Sequence, residues 1–376
     1  MKIGLVSPYD FAYPGGVVAH ISNLARYLEL RGHTVKILAP ARYPDTLGVA
    51  NLIAVGRPFP VPSGGSIARI SLSVWRERHV KTLLREESFN IIHLHEPLVP
   101  VLPLTVLGAS QTVNVGTFHR FDSNSRIYQF TKHPLRRWFK KLDGRIAVSD
   151  PALQYVSKHF PGDYNVIPNG IDVDFLSQKV PPFDAFNDGK LNLLFVGRME
   201  KRKGLLYLLG AFSRLKWEYP NLRLLVVGPG NPGKECYRLM GERNIQDVVF
   251  LGEVSEEAKR RYLHTADIFC APNIGQESFG LILGEAMAAG RPIVASNIDG
   301  FAQVLTDGIE GFLVTPRSEE QIAIVLKRLI DDAGLRARMG QNGRKTVETY
   351  RWERVTERVE EYYRKAMIAY AVRRRN

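Results

Sequence analysis

The sequence has few cysteines and no long hydrophobic run. Its 376 residues contain two cysteines, Cys270 in an apolar segment and Cys236 in a charged, helix-like segment. Neither has the spacing of a metal site, so both are expected to be free thiols. No segment approaches the ~18 consecutive apolar residues of a membrane-spanning helix. The first ten residues, MKIGLVSPYD, lack the apolar core and cleavage site of a signal peptide, which predicts a cytoplasmic location.

Two signatures of nucleotide and metal sites are also missing. Gly15 and Gly16 follow the first apolar run without forming G-x-G-x-x-G, and no acidic residue follows where a dinucleotide ribose would need one. A standard NAD fingerprint is therefore absent. No Asp-x-Asp motif occurs where it could hold a divalent metal, so fixed cations would have to neutralise a leaving diphosphate. We expect no bound cofactor, and no motif predicts a metal ion, although the chemistry allows a divalent one.

Acidic residues are outnumbered, since 38 Asp and Glu stand against 51 Lys and Arg and give a formal net charge of +13. An excess of this size favours an anionic partner, such as a nucleic acid, an acidic membrane surface or a phosphorylated substrate. A basic, solvated surface without such a partner is the alternative. A nucleic-acid-binding module is disfavoured because the chain lacks a recognition motif for one.

Apolar runs that alternate with helical patterns indicate an α/β fold with two doubly wound domains and parallel sheets. The predicted strands form two series, at residues 2–7, 33–38, 90–95, 113–119, 144–149 and 164–170, and at 191–197, 222–228, 248–252, 268–270, 292–296 and 311–315. Residues 178–190, between the series, are rich in proline and lack periodicity. We therefore predict a domain at 1–177, a linker at 178–190, a second domain at 191–352, and a C-terminal helix at about 353–376 that joins the first domain.

The most informative segment is residues 273–290, NIGQESFGLILGEAMAAG. It places Glu277 in a loop and Glu285 in the following helix, where both carboxylates can face a polyhydroxylated ligand. Residues 278–280 fall at the helix start, where free backbone N–H groups attract negative charge. Two solvated glutamates on a surface helix are the alternative, which the flanking ESFG and EAMAAG disfavour.

A basic loop follows the first strand of the second series. Arg198 and Lys203 flank this loop ahead of a helix start, and two cations with free backbone amides suit a pyrophosphate. A basic surface loop is the alternative. Cations for phosphates and carboxylates for hydroxyls, at one edge of a sheet, together predict a nucleoside-diphosphate sugar as the ligand.

In the first series, His119 ends a predicted strand within GTFHR. Ligands of open α/β sheets bind beyond the carboxyl ends of the strands, which makes His119 a candidate site residue. From position alone, a structural histidine is the more common case.

These motifs together resemble the retaining GT-B glycosyltransferases of family four. The resemblance spans nearly the whole chain and rests on PGGVVAH, GTFH, AVSD, VIPNGID, VGRMEKRKG, APNIGQESFG and EAMAAGRPIVAS. Within that family the chain is most similar to the bacterial phosphatidylinositol mannosyltransferases, through SPYDFAYPGG, PSGGSIAR, HLHEP and FLGEV. The resemblance implies two Rossmann-like domains whose parallel sheets face each other across a cleft. It also implies mannose transfer from GDP-mannose to a phosphatidylinositol-type lipid at the cytoplasmic membrane face.

The resemblance also assigns roles by position. The implied donor residues are Gly16, Arg198, Arg202 and Lys203 at the diphosphate, Val254 and Lys259 beside the base, Glu277, Ser278, Phe279 and Gly280 at the sugar and phosphates, and Glu285 at the ribose hydroxyls. His119 would lie near the transferred sugar, so the implied catalytic residues are His119, Glu277, Arg198 and Lys203. Tyr9, Ser66 and Arg69 would face the acceptor headgroup, with Arg69 suited to its phosphate.

Two positions depart from the mannosyltransferases. The chain has Val18 where they carry a glutamine, and Asn124 where they carry a lysine five residues after the GTFH histidine. Both changes bear on the acceptor more than on the reaction. A UDP-sugar transferase acting on another lipid or a soluble acceptor is therefore the alternative, whereas Lys259, which the mannosyltransferases share, favours GDP. An epimerase on the same architecture is disfavoured by VIPNGID and ESFG.

Two basic segments of the first domain are candidates for membrane contact. Residues 74–84 interleave Trp75, Val80, Leu83 and Leu84 with cations, and residues 134–141 place Trp and Phe between pairs of cations. This pattern suits an anionic interface and a peripheral membrane protein. A solvated helix face with ordinary core anchors is the alternative.

Overall fold

The computed structural model describes residues 1–13, 15–44, 47–63, 66–71, 77–121 and 127–375. Their contacts divide the chain into two compact units. We call Met1–Gly170 together with Trp352–Asn376 the first domain, and Ile171–Arg351 the second domain.

Strands and helices alternate along most of the chain. The strands are β1 (Lys2–Val6), β2 (Thr34–Ala39), β3 (Leu52–Ala54), β4 (Pro58–Ser63), β5 (Ser66–Ser71), β6 (Ile91–His95), β7 (Val113–Phe118), β8 (Gly144–Ala147), β9 (Asn165–Val166), β10 (Leu191–Val196), β11 (Leu222–Val227), β12 (Val248–Gly252), β13 (Ile268–Ala271), β14 (Ile293–Ser296) and β15 (Gly311–Val314). The helices are α1 (Gly16–Leu30), α2 (Glu77–Glu87), α3 (Leu102–Ala109), α4 (Ile127–Phe139), α5 (Asp150–Ser157), α6 (Val173–Ser177), α7 (Leu205–Lys216), α8 (Lys234–Glu242), α9 (Glu256–Thr265), α10 (Leu281–Ala288), α11 (Asp299–Ala302), α12 (Glu319–Asp331), α13 (Ala333–Val347) and α14 (Trp352–Arg375).

The first domain is built on a parallel sheet of seven strands in the order β3-β2-β1-β6-β7-β8-β9. Successive residues of β1 face opposite sides of the sheet, so that Ile3 and Leu5 join one hydrophobic cluster and Val6 joins another. Both faces are therefore covered, as a parallel sheet with helical crossovers requires. This sheet confirms the first predicted series of strands.

A separate hairpin, β4 paired antiparallel with β5, was not predicted. Pro58, Pro60 and Pro62 alternate along β4, and such spacing argues against a strand in the interior of a sheet, because proline cannot donate to the ladder. An isolated two-stranded ribbon tolerates it, since β4 pairs on one side only. The three-residue β3 was also missed, because it is too short to show a period.

The second domain has a parallel sheet of six strands in the order β12-β11-β10-β13-β14-β15, which confirms the second predicted series. Its strands are almost wholly buried, as in LRLLVV of β11. Helices α7 and α12 cover one face of the sheet, where they bury Leu208 and Leu326. Helix α10 covers the other face, where it buries Leu283.

Residues 178–190, the predicted linker, lie within the second domain. Phe183 and Phe186 pack against Tyr262 of α9, with the ring centroids of Phe183 and Tyr262 4.4 Å apart. The chain passes between the domains at Gly170–Ile171 and again at Arg351–Trp352. Proline content and the loss of periodicity cannot distinguish such a packed irregular segment from a free linker.

The C-terminal helix α14 belongs to the first domain. Trp352, Val359 and Tyr363 are buried in the same cluster as Ile3 and Leu5 of β1. Gly170 lies so close to Trp352 that a Cβ atom there would come within 2.2 Å of the indole ring. The helix is thus an integral layer of the first domain.

Candidate active site

Each sheet has one point where the strand order reverses, and ligands of doubly wound folds bind at that point beyond the carboxyl ends of the strands. In the first domain it lies between the neighbouring strands β1 and β6, and in the second between β10 and β13. The loops after these four strands contain most of the residues implied as functional by the sequence.

In the second domain, the loop after β10 carries the cations. Residues Lys201–Lys203 form a 3-10 turn, and Gly204 ends it with a φ of +73°. A Cβ atom at Gly204 would come within 1.9 Å of the carbonyl oxygen of Pro272, so only glycine allows this approach. The Arg202 carbonyl also accepts a hydrogen bond from Ile274 N at 2.8 Å. The basic loop is thereby held against the loop that follows β13.

Glu277 lies in that second loop and is surrounded by donors. Its Oε2 accepts from Lys203 Nζ at 2.7 Å and from Asn273 Nδ2 at 3.0 Å, and Arg202 Nη1 lies 3.8 Å from the same oxygen. Arg202 is itself fixed by Glu200, whose Oε2 accepts from Arg202 Nε at 2.7 Å. Lys203 and Glu277 are mostly buried, with side-chain exposures of 16% and 20%.

The charge state of Glu277 follows from these contacts. Burial alone would raise the pKa of its carboxyl group, but attraction and hydrogen bonding to Lys203, with attraction to Arg202 and Arg198, outweigh burial and lower the pKa. Glu277 is therefore an acceptor-only carboxylate at neutral pH. It can accept hydrogen bonds from ligand hydroxyls, while the surrounding cations can bind a ligand's phosphates.

Glu285 lies two turns further on, in α10, and is paired with a lysine of α9. Its Oε1 accepts from Lys259 Nζ at 3.0 Å. Its Oε2 is 2.9 Å from the same nitrogen, yet it is buried and has no well-oriented hydrogen-bond donor among the described residues. Attraction to Glu285 and Glu256 overcomes the effect of burial and raises the pKa of Lys259, so this lysine stays charged. Both oxygens of the Glu285 carboxylate are thus held close to one ammonium group.

The residues between Glu277 and Glu285 contribute backbone groups to the candidate site more than side chains. Phe279 is 3% exposed and packs edge-on against Tyr350 in the hydrophobic core, so its ring is not available to a ligand. Gly280 precedes α10 in the left-handed conformation, with a φ of +76° and no side-chain cap. The first N–H groups of α10 are therefore available to an anion. Ser278 and Val254 are half-buried, and Val254 packs beside the core ahead of α9.

A glycine of α11 also allows the Glu277 loop to pack closely. A Cβ atom at Gly300 of α11 would come within 2.1 Å of the Glu277 carbonyl oxygen. Gln303 Nε2 donates to the Ser278 carbonyl at 2.8 Å. Glu200, Asn273, Gly300 and Gln303 were all missed from the sequence, because their role is to hold other site residues and no motif marks it.

In the first domain, Gly16 begins α1, and the N-cap residue Gly15 makes no side-chain cap, so backbone N–H groups are available there too. Val18, on the first turn of α1, packs beside the hydrophobic core. Asn124 lies outside the described residues.

His119 follows β7 and is held by the end of β6. Its backbone N–H donates to Glu96 Oε1 at 2.6 Å, and its Nε2 lies 3.0 Å from Nδ1 of His95. Glu96 is 2% exposed and has a φ of +51°, a rare conformation for a glutamate. Burial raises the pKa of Glu96 and lowers that of His119 well below its usual range, so the His119 imidazole is neutral.

The residues implied for the acceptor meet through the backbone. The Asp10 N–H donates to the Arg69 carbonyl at 2.8 Å, and Tyr9 forms a bridge to Ile70 of β5. The Arg69 guanidinium lies 3.6 Å above the ring centroid of Tyr13. Ser66 is the first residue of β5. The hairpin and the loop after β1 are thus joined, which brings Tyr9 and Arg69 to one side of the first domain.

The side chains of the two candidate membrane segments fall into two groups, apolar ones in the core and exposed cations. Val80, Leu83 and Phe139 are buried in the hydrophobic core of the first domain, so they are not free to enter a bilayer. Trp75 lies outside the described residues. Exposed cations remain on α2 and around α4, namely Arg78, Lys81, Arg85, Lys132, Arg136, Arg137, Lys140 and Lys141. Among the described helices, none combines the length and apolarity needed to cross a bilayer.

Two family models match this chain. The model described as "Glycosyltransferase Family 4" matches residues 14–175, and the model described as "Glycosyl transferases group 1" matches residues 178–346. The two matches follow the division into two domains closely.

Curated relatives are similar over almost the full length. The chain is 37% identical over 364 residues to the phosphatidyl-myo-inositol mannosyltransferase of Mycobacterium leprae (strain TN), and the match covers 96% of both chains. It is 34% identical over 387 residues to the protein of the same name from Propionibacterium freudenreichii subsp. shermanii, covering 100% of this chain and 97% of the relative.

Solved structures share the fold. A glycosyltransferase from Rickettsia africae ESF-5 superposes with a TM-score of 0.80 at 19% identity, covering 97% of this chain and 98% of that one. Anabaena HepE in complex with UDP superposes with a TM-score of 0.78 at 18% identity, covering 96% and 99%.

Proposed function

The chain belongs to the GT-B glycosyltransferases, and from this membership we propose that it transfers mannose from GDP-mannose to a phosphatidylinositol-type lipid with retention of anomeric configuration. The observation that carries the proposal is the ion-paired cluster of Lys203, Arg202 and Glu277 at the strand reversal of the second domain. The proposed sugar and lipid are taken from the names of the relatives, which are phosphatidyl-myo-inositol mannosyltransferases.

The donor is assigned to the second domain. Its diphosphate carries negative charge that Arg198, Arg202 and Lys203 can neutralise, with Gly16 of the first domain as a further backbone donor. The Glu285 carboxylate, which Lys259 holds in place, suits the ribose hydroxyls, with Lys259 and Val254 beside the base. Glu277 accepts hydrogen bonds from hydroxyls of the transferred sugar.

The charge balance explains why Glu277 is paired with lysine. A buried carboxylate alone would be costly, and Lys203 keeps it ionised. When a diphosphate binds, Lys203 and Arg202 can contact both the phosphates and Glu277. As the bond between the sugar and the diphosphate breaks, negative charge grows on the leaving phosphate, and these fixed cations stabilise it.

Retention follows if the acceptor hydroxyl attacks from the face that the diphosphate leaves. A diphosphate oxygen then accepts the proton of the acceptor hydroxyl, and Glu277 is not a covalent nucleophile. His119 is neutral and contributes a hydrogen bond near the transferred sugar. No step of this scheme needs a metal ion, although a divalent ion beside the phosphates is compatible with it.

The acceptor is assigned to the first domain, where Tyr9, Ser66 and Arg69 would face its headgroup. Arg69 provides a charge for the lipid phosphate. We propose a peripheral location on the cytoplasmic membrane face, with the exposed cations of α2 and α4 attracted to anionic lipids. Since Val80, Leu83 and Phe139 are held in the core, the attraction is mainly electrostatic.

The first experiment compares thermal stabilisation of the chain by GDP and by UDP, followed by mannose transfer from GDP-mannose to vesicles that contain phosphatidylinositol. We expect stabilisation by GDP and mannosylation of the lipid, with the α-linkage of the donor kept in the product. Preference for UDP would overturn the donor assignment. Binding of GDP without lipid transfer would overturn the acceptor assignment while leaving the diphosphate site intact.

The second experiment replaces Glu277 with glutamine, which keeps the shape of the side chain and removes its charge. We expect the variant to fold and to lose at least about 100-fold in kcat, because the sugar loses a charged hydrogen-bond acceptor. Glu235→Gln is the matched control, since Glu235 is 51% exposed and pairs with Lys201. Near-normal transfer by Glu277→Gln would contradict the assigned role.

A further inference from the structure

Three histidines of the first domain, two of them buried and one half-buried, converge from separate elements. His20 lies on α1, His95 ends β6 and His119 follows β7. Their ring centroids are 5.2 Å apart for His20 and His95, 4.8 Å for His20 and His119, and 5.3 Å for His95 and His119. One ring nitrogen of each lies within 4.8 Å of the chosen nitrogens of the other two. We call these residues the histidine cluster.

The spacing of the rings fits a single metal ion. Zn²⁺ binds imidazole nitrogens at about 2.0–2.1 Å in tetrahedral geometry, which places the nitrogens about 3.4 Å apart and the ring centroids roughly 5 Å apart. All three centroid distances in the cluster are close to this value. Nδ1 of His95 and Nε2 of His119 are already 3.0 Å apart, so the adjustment needed is a rotation of rings rather than a movement of strands.

The cluster also has more ring nitrogens than partners. Nδ1 of His20 and Nε2 of His95 are buried, and neither has a hydrogen-bond partner within the part of the chain that the structure describes. Buried polar atoms are normally paired, and each unpaired one destabilises the fold. A metal ion bound by the cluster could use Nδ1 of His20, which has no partner among the described residues.

Neutral imidazole is the form of histidine that binds a metal ion. In the metal-free state one N–H lies between Nδ1 of His95 and Nε2 of His119, which are 3.0 Å apart. Binding of an ion shifts that proton to the other nitrogen of its own ring, so no net proton is released.

The surroundings hold the cluster in place. His93 lies beside His95, at a ring-centroid distance of 4.4 Å, and is fixed by Tyr363 and Thr117 through hydrogen bonds of 2.7 and 2.6 Å. Trp352 packs edge-on against His20 at 5.1 Å. Such second contacts orient metal-binding histidines and contribute to affinity.

We propose that the histidine cluster is a binding site for a borderline-soft divalent metal ion, with Zn²⁺ as the ion best matched to three imidazoles. Mg²⁺ and Ca²⁺ prefer oxygen ligands and should not compete. The site's ligands are imidazole nitrogens, whereas a metal ion bound to a diphosphate has oxygen ligands. No metal motif marks this site, because the three histidines are far apart along the chain and meet only through the fold.

A consequence for catalysis rests on the function proposed above. A metal bound to His119 fixes the orientation of the ring that is proposed to contact the transferred sugar. Zn²⁺ should therefore inhibit transfer, and a chelator should restore it. Metal binding itself is measured without any turnover, so its outcome is independent of whether the donor and acceptor are assigned correctly.

The test titrates the full chain, first freed of metal by a chelator, with Co²⁺ by visible absorption and with Zn²⁺ by calorimetry. We expect one ion per chain and Co²⁺ bands of tetrahedral intensity that Zn²⁺ abolishes and excess Mg²⁺ leaves unchanged. His20→Asn and His95→Asn should each weaken binding by more than about 100-fold, because loss of a ligand exceeds the effect of a lost second contact. His79→Asn, at an exposed histidine of α2, is the matched control and should bind as the wild type does.

X-ray absorption of the zinc-loaded wild type counts imidazole ligands without any substitution, so it decides the case even where a variant fails to fold. Three imidazoles in the first coordination shell would support the cluster. Fewer than three, affinity unchanged in His20→Asn and His95→Asn, or affinity lost in His79→Asn, would each overturn the proposal and place the ion on surface histidines.

Discussion

The two domains have their candidate sites at the same position of the same kind of fold, but the groups at the two sites differ in charge. In the second domain, the loops after β10 and β13 bring together charged side chains, and Lys203 and Arg202 both pair with Glu277. In the first domain, β6 ends at the buried His95, the buried Glu96 with its raised pKa comes next, and the half-buried His119 follows β7. One fold thus supports either a site of fixed charges or a site built mainly of neutral imidazoles.

The difference follows from what each site has to hold. A diphosphate needs cations in place before it arrives, and cations in a partly buried loop need a carboxylate to balance them. The second domain meets both needs by pairing Lys203 with Glu277. Neutral imidazoles need no such balance, and they can be buried fully at the cost of a lower pKa. The contrast predicts that charge removal harms the second site most, and that acid harms the first.

Lys203→Ala should have the largest effect. It removes the cation nearest to Glu277 and a stabiliser of the leaving diphosphate, so we expect kcat to fall by about 10²–10³-fold, or about 3–4 kcal/mol. Lys201→Ala is the control, because Lys201 belongs to the same short turn but is 82% exposed and pairs with Glu235. Steady-state kinetics with GDP-mannose would measure both. Equal losses in the two variants would show that the turn acts only through its overall charge.

Acid should destabilise the first domain before the second. Unfolded histidine takes up a proton near pH 6.5, whereas the folded His20 does so only near pH 4. Stability from this group is therefore present at pH 7 and lost as the pH falls from about 6.5 to 4, by roughly 3 kcal/mol for His20 alone. His93, with a pKa of about 3, acts in the same direction, and Glu96, whose pKa is raised, opposes it in part.

The second domain responds in a different range. The lowered pKa of Glu277 gives stability that is present above the unfolded value of 4.5 and lost as the pH falls through the folded value. The pKa of His264, the one histidine of this domain, is lowered by burial, so it contributes a smaller loss below pH 6.5. Hydrogen-exchange protection of peptides from β6 and β7 against those from β10 and β13, corrected for intrinsic rates at pH 7 and 5, would measure the difference. Equal loss in both domains would contradict it.

Lys259→Met should have a smaller effect, confined to the nucleotide. It leaves the buried Glu285 carboxylate without its cation, so the orientation that suits a ribose is lost, and we expect GDP affinity to fall about 10-fold. Lys259→Arg keeps the charge and should retain part of the affinity, while Lys234→Met at an exposed lysine should change nothing. Calorimetric titration with GDP would measure the affinity of each variant. An unchanged affinity in Lys259→Met would mean that Glu285 does not contact the nucleotide.

The second site was more predictable from the sequence than the first, for a physical reason. Glu277, Glu285, Arg198 and Lys203 lie in two short segments with local turn and helix signals, and the parallel strands β10 and β13 bring those segments together. The first site draws on His20, His95 and His119, which are spread over about a hundred residues. Only His119 stood out, because a single histidine carries no periodic signal and its partners are set by the order of strands.

Packing decided the other differences. The residues of 178–190 contain two phenylalanines that pack against Tyr262, and local sequence could not reveal this contact. In α2, the spacing of Val80 and Leu83 fits both a membrane-facing stripe and a core-facing stripe. The structure assigns them to the core, because α2 covers one face of the first sheet. Hydrophobic periodicity shows that a face is buried, but not what buries it.

The smallest predicted effect concerns membrane binding. It is tested by removing one positive charge from each domain in turn. Each exposed cation near an anionic surface contributes about 1 kcal/mol, so Arg137→Ser on α4 should weaken binding to phosphatidylserine vesicles about 5-fold. Arg238→Ser on α8, an equally charged change at a residue 73% exposed in the second domain, should leave binding unchanged. Co-sedimentation at low and at physiological salt would compare them, and salt should weaken binding in both. Because Val80, Leu83 and Phe139 are held in the core, loss of charge is not offset by insertion of those side chains. An equal loss in the two variants would instead indicate that the net charge of the whole chain, rather than the face of the first domain, attracts the membrane.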